Sequence, residues 1–107
     1  MELSVVVPVF NEKDSLEELI ERLMKEIERR GFREYEIWLI DDGSNDGSDE
    51  VIKRLIKEYK LVKSVRLRCN LGKTLALREG FRRANGKLVL TIDADLQDRP
   101  ENLEALL

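Results

Sequence analysis

The chain has 107 residues, 42% of them apolar and 38% charged, which is enough for one folded core and too apolar for a disordered segment. Its 19 basic and 22 acidic side chains leave a net charge of −3, interspersed and too small to steer a polyanion, so nothing calls for nucleic acid. With no histidine and a single cysteine, Cys69, an intrachain disulfide is excluded and any bound metal must be held by oxygen.

The N-terminus opens directly into the apolar run LSVVVPV at residues 3–9, without a basic leader, and no apolar stretch approaches ~18 residues. The expected location is therefore cytoplasmic, at the cytoplasmic membrane face if the chain belongs to a larger anchored protein. A nearly continuous apolar run of this length reads as a strand covered on both faces. Leu16, Leu19, Ile20, Leu23 and Ile27 then form one helical stripe, with Asp14 and Glu17 spaced as a cap and its partner and Gly31 as the stop. Residues 35–40 read as the second strand. A helix is expected after Ser48, with Val51, Ile52, Leu55, Ile56 and Tyr59 on its buried face.

The third strand is expected over residues 61–67, and a third helix over 73–84 burying Leu77, Gly80, Phe81 and Ala84, with Arg78, Arg82 and Arg83 on its wet side. Residues 87–92, also nearly continuous in apolar side chains, form the fourth strand and are likewise expected to be covered on both faces. Pro100 stands where the first turn of a helix tolerates proline, and the chain stops at Leu107 inside that apolar stretch, which reads as a truncation. The alternation βαβαβαβ predicts one α/β domain over residues 1–107, Rossmann-like, with a parallel sheet between two helical layers.

Polar residues gather at one end of the strands: PVFNE after the first, DDGSNDGS after the second and DADLQD after the fourth. In open parallel sheets ligands bind outside the carboxyl ends, where the winding reverses. A strand order of 3-2-1-4 brings these clusters together. Asp93 and Asp95, two apart on a continuing strand, place both carboxylates on one side, with Gln97 following in register. That oxygen-only set suits Mg²⁺ or Mn²⁺ shared with substrate phosphates, whereas an isolated D-x-D also occurs as a plain acidic turn. Asp41 and Asp42 end an apolar run, where a carboxylate can accept from a base N–H or a ribose hydroxyl. The rest of DDGSNDGS reads as turn formers that reverse the chain and cap the next helix.

Pro8 and Phe10 could pack a flat base, although a residue like Phe10 is more often core than a base platform, and residues like Asn11 and Glu12 more often belong to a helix start than to a site. NLGKT sets a flexible glycine and Lys73 before a helix, where amides and an ammonium can meet an anion. It is not a Walker loop, because Leu67 occupies the position of the first glycine. An EF-hand beginning at Asp42 fails because Lys53 stands where a bidentate glutamate is needed.

Together VVVPVFNE, LIDDGSNDGS, NLGKTLALREG and TIDADLQDRPE resemble, in order and spacing, the N-terminal half of family 2 glycosyltransferases of the GT-A fold. The resemblance is nearest to the polyprenyl-phosphate branch, which includes dolichol-phosphate mannosyltransferases and undecaprenyl-phosphate glucosyltransferases. Arg99 stands where that branch often has proline. The resemblance implies that Pro8, Phe10 and Glu12 line a nucleotide pocket, Asp42 contacts the base, and Lys73 reaches the diphosphate. It further implies that Asp93 lies near ribose or metal, and that Asp95 and Gln97 coordinate the cation. Asp41, and Ala94 between the two acids, belong to the same expected nucleotide-sugar site.

The implied reaction moves a hexose from a UDP- or GDP-sugar to a polyprenyl phosphate with inversion, while the residue that activates the acceptor has no counterpart in this chain. A phosphoacceptor receiver domain and a haloacid-dehalogenase phosphatase are disfavoured, since both place an acidic pair after the first strand. A nucleotidyltransferase would need a glycine-rich basic loop where PVFNEKD stands. The remaining alternative is a folding fragment or half-domain scaffold that keeps the motifs without activity. A half-domain with an exposed sheet edge would also be prone to self-association.

Overall fold

The computed structural model describes residues 1–94. The elements run β1 (Leu3–Val9), α1 (Leu16–Arg29), β2 (Tyr35–Asp41), α2 (Ser48–Glu58), β3 (Val62–Arg66), α3 (Lys73–Arg83) and β4 (Leu88–Thr91). All strand pairs are parallel and the order is β3-β2-β1-β4, as expected. The expected helix at Pro100 lies outside the described residues.

β1 and β2 are the interior strands of the sheet and carry apolar residues on both faces. Leu3, Val5, Val7 and Val9 pack with Leu16, Leu19, Ile20, Leu23 and Ile27 of α1 and with Ile52 and Leu55 of α2. Val6, on the opposite face, packs with Ile40 and with Ala76 of α3. The chain therefore winds outward from β1 to β3 with α1 and α2 on one face. It returns across the other face through α3 to β4, and this reversal opens the crevice between β1 and β4.

Pro8 makes that opening possible. Glu2 and Val6 turn their carbonyls toward β4, accepting from Leu88 and Ile92, so Pro8, two residues past Val6, presents its missing N–H on the same side. Pairing with β4 ends at Val6 opposite Thr91. A residue that cannot donate thus stands where the ladder stops.

Four local expectations change. Ser15, not Asp14, occupies the cap position of α1, and neither side chain caps the helix; the Ser15 hydroxyl instead donates to the Ala94 carbonyl at 2.6 Å. Ile56 lies at the margin of the α2 stripe and is exposed, while Ile52 and Leu55 carry the contact. Phe81 is also exposed. Here α3 approaches the sheet through its small residues, since a Cβ on Gly80 would lie 2.2 Å from Val6 Cγ1, and this turns the neighbouring Phe81 outward; Leu77 packs at the margin of that cluster. Finally, β4 is not covered on both faces: Leu90 is buried, but Leu88 and Val89 are exposed because the strand lies at the sheet edge.

Candidate functional site

At the carboxyl end of the sheet a cavity of about 320 Å³ is lined from four directions. Pro8, Val9, Phe10 and Glu12 come from β1 and the turn after it. Asp42 follows β2, Asn70, Gly72 and Lys73 lead into α3, and Asp93 and Ala94 follow β4. Pro8, Phe10, Glu12, Asp42, Lys73, Asp93 and Ala94 are all residues expected from the sequence, and they share one crevice. Asp41 does not line it. Its side chain turns to the other side of β2, accepting from the Ser44 amide at 2.9 Å and lying 3.7 Å from Arg66. Asp95 and Gln97 lie outside the described residues.

The walls are held by hydrogen bonds between loops distant in sequence. The turn after β1 is stitched to the loop after β2: the Asn11 amide donates to Ser44 Oγ (2.9 Å), the Asn45 amide to Asn11 Oδ1 (2.8 Å) and the Glu12 amide to Ser48 Oγ (3.1 Å). Asn11 sits at φ 53, in the left-handed region that asparagine tolerates better than most residues. Much of DDGSNDGS is therefore a brace, as its turn-forming composition suggests, with Gly47 as the cap residue of α2. The Ser15 bond to Ala94 ties the start of α1 to the segment carrying Asp93. Ser15 and Asn70 escaped the sequence reading. Asn70 had a signal in its place within NLGK, but Ser15 had none, since its partner is 79 residues away.

Asp42 is buried, and its two oxygens accept from the amides of Leu71 (2.7 Å) and Gly72 (2.9 Å). Gly43 lets these loops touch: at φ +78, a Cβ there would lie 2.7 Å from the Asn70 nitrogen. Gly72, also at positive φ, is the cap of α3, so Lys73 is the first helical residue. Its ammonium forms an ion pair with Asp93 Oδ1. The expected anion-facing lysine and cation-facing aspartate are thus neighbours across the crevice.

The crevice carries an uneven balance of charge. Among the described lining residues Glu12, Asp42 and Asp93 face Lys73, so carboxylates outnumber the ammonium. A diphosphate alone would meet net repulsion from these carboxylates, relieved at Lys73, whose ammonium is already paired with Asp93. The described residues include no cluster of three or more metal-ligating side chains. Asp93 would therefore need oxygens from beyond the described residues or from a bound phosphate.

Residues 4–107 match the family model described as glycosyl transferase family 2. The chain belongs to that family. Its family 2 relatives include undecaprenyl-phosphate 4-deoxy-4-formamido-L-arabinose transferases of Edwardsiella ictaluri and Proteus mirabilis, each 42% identical over 106 residues. The alignment covers 98% of this chain and 32% of either relative, so the chain spans about a third of their length. Among solved structures, the mannosyltransferase PcManGT of Pyrobaculum calidifontis, in complex with GDP-Man and Mn²⁺, is 26% identical with a TM-score of 0.78, over 88% of this chain and 27% of that one. S. aureus TarS 1-349 with UDP-GlcNAc is 28% identical with a TM-score of 0.74, over 89% and 27%. GalNAc-T7 with UDP, GalNAc and Mn²⁺ is 31% identical with a TM-score of 0.76, over 88% and 18%. The sheet order and helix placement are those of these glycosyltransferases of the GT-A fold.

Proposed function

We propose that the chain is the donor-binding part of a glycosyltransferase that takes a sugar from a nucleoside diphosphate sugar with the help of a divalent cation, Mg²⁺ or Mn²⁺. The observation that carries this reading is the meeting of Lys73 and Asp93 across a crevice at the winding reversal, with Pro8, Phe10 and Asp42 on its other walls. A volume of about 320 Å³ lies within the range of small-molecule sites. The similarity to proteins solved with UDP or GDP-Man and with Mn²⁺ supports it.

In this reading Pro8 and Phe10 offer an apolar wall to the base, and Glu12 and Asp42 offer acceptors. Transfer breaks the bond between the anomeric carbon and the β-phosphate oxygen and forms one to the acceptor oxygen, with inversion, releasing the nucleoside diphosphate. Lys73 would hold the diphosphate and stabilise the negative charge gained as it leaves. A divalent cation held by Asp93, with Asp95 and Gln97 as its further expected ligands, would supply additional charge neutralisation there.

The acceptor we propose is a polyprenyl phosphate, on the strength of the relatives' names, in a longer protein working at the cytoplasmic membrane face. No helix among the described residues is long and apolar enough to cross a membrane. The chain alone is expected to bind nucleotide and to catalyse little transfer. Self-association through β4 belongs to the same proposal: that edge carries no charge between Leu88 and Thr91, whereas β3 carries Lys63 and Arg66.

Calorimetric titration of the chain with UDP and GDP, with and without Mn²⁺, tests the reading. Binding should require the cation or be strengthened by it about tenfold or more, and Lys73→Ala should weaken it. No heat with either nucleotide, cation present, would leave only the inactive scaffold.

A further inference from the structure

We propose that Asp42 is a positioning residue: its carboxylate fixes the loop ahead of α3 and thereby sets Lys73 over the crevice. Three observations converge on this role. Both oxygens of a buried carboxylate are engaged by consecutive backbone amides, those of Leu71 and Gly72, at 2.7 and 2.9 Å. The next residue, Gly43, brings the backbone after β2 against the Cys69–Asn70 peptide so closely that a side chain would collide with it. Immediately beyond the two held amides stands Lys73, first in α3 and paired with Asp93.

An exposed loop preceding a helix would otherwise sample many conformations, and Leu71 itself is 49% exposed, so no core contact of that side chain fixes it. Two hydrogen bonds to one ionised group dominate instead, because bonds to a charged acceptor are stronger than neutral ones such as the one Gly72 also makes to Asn70 Oδ1 at 3.1 Å. Each oxygen already holds one amide, and the lone pairs left over can still accept from a base. Asp42 acts on the diphosphate end of the site through the backbone. The loop-holding part stands on geometry alone, and its consequence for ligand binding rests on the proposed nucleotide site.

The test compares the whole chain with its Asp42→Asn variant, which keeps the shape and removes the charge. In the ligand-free state, amide hydrogen exchange at Leu71 and Gly72 should accelerate roughly tenfold or more, while the amides of Val6 and Leu39 in the core keep their rates. With Mn²⁺ present, binding of pyrophosphate, which has no base for Asp42 to touch, should weaken by a similar factor, and UDP with it.

Unchanged exchange at Leu71 and Gly72 would overturn the proposal. So would equal weakening of uridine and UDP with pyrophosphate unaffected, the result for a group that only touches the base. If the parent chain binds none of the three ligands, the proposed nucleotide site fails while the exchange rates still decide the loop-holding role. Should the asparagine variant not fold, Leu71→Pro removes one of the two donors at an exposed position. It should accelerate exchange at Gly72 and weaken pyrophosphate as the asparagine variant would, and no effect on either would equally refute the role.

Discussion

Replacing Glu36 by glutamine should remove an acid-sensitive part of the stability and leave a recognisable pH signature. Glu36 is wholly buried on β2 yet charged, and it accepts from Ser4 Oγ of β1 at 2.6 Å, Lys63 Nζ of β3 at 3.0 Å and the Asn85 amide at the α3–β4 turn at 2.8 Å. Burial pushes its pKa up and is the largest single influence. The Ser4 hydroxyl, the Asn85 amide and the Lys63 ammonium together outweigh it and hold the carboxyl at about 2, against an ordinary 4.5.

A depressed folded pKa means that the stabilisation is complete above pH 4.5 and is lost as pH falls from there toward 2. The gap corresponds to about 3 kcal/mol, carried mostly by the buried hydroxyl and amide contacts, since Lys63 is part-exposed and screened by water. Urea unfolding at pH 7 should show Glu36→Gln destabilised by about 2–3 kcal/mol, with the deficit falling below about 1 kcal/mol near pH 2.5 and vanishing as pH falls through 2. A deficit that stays constant across that range would refute the assignment of the stability to the charge. The network also matters for the site, because it joins all three other strands' surroundings to the turn that launches β4 toward Asp93.

Further expectations follow from close backbone approaches. Gly80→Ala places a methyl 2.2 Å from Val6 Cγ1 and should cost about 1–3 kcal/mol in urea unfolding; Val6→Ala in the same chain should recover part of that loss. Gly43→Ala adds a methyl 2.7 Å from the Asn70 nitrogen at a positive φ and should cost about 1–3 kcal/mol, with faster amide exchange at Leu71 and Gly72 than in the parent. Lys73→Ala, at an exposed helix start, should leave the unfolding midpoint nearly unchanged while weakening UDP about tenfold in the presence of Mn²⁺; an unchanged affinity would remove Lys73 from the site.

Much of the fold is legible from periodicity. The unbroken apolar run of β1 announces a strand covered on both faces, and the stripe from Leu16 to Ile27 announces α1, because burial acts directly on side-chain pattern. The order 3-2-1-4 is legible from chemistry, since it sets the polar ends of β1, β2 and β4 side by side. What escaped depends on tertiary geometry. Phe81 looks like core until the 2.2 Å approach at Gly80 shows which side of α3 the sheet takes. Asp41 and Asp42 are equivalent in sequence, and only the alternation of the strand end sends one toward Arg66 and the other toward the crevice. Ser15 stands at the start of α1, where a hydroxyl is expected to cap the helix, whereas its hydroxyl serves the Ala94 carbonyl 79 residues away.

The central claim is that the crevice between β1 and β4 binds a nucleoside diphosphate together with a divalent cation. Amide shift mapping on addition of UDP with Mg²⁺ tests it most directly. The account predicts saturable, cation-dependent shifts at Phe10, Glu12, Gly72, Lys73, Asp93 and Ala94, with β3 and the C-terminal half of α1 unmoved. Shifts scattered over the surface, or identical shifts with Mg²⁺ alone and no further change on adding UDP, would contradict it.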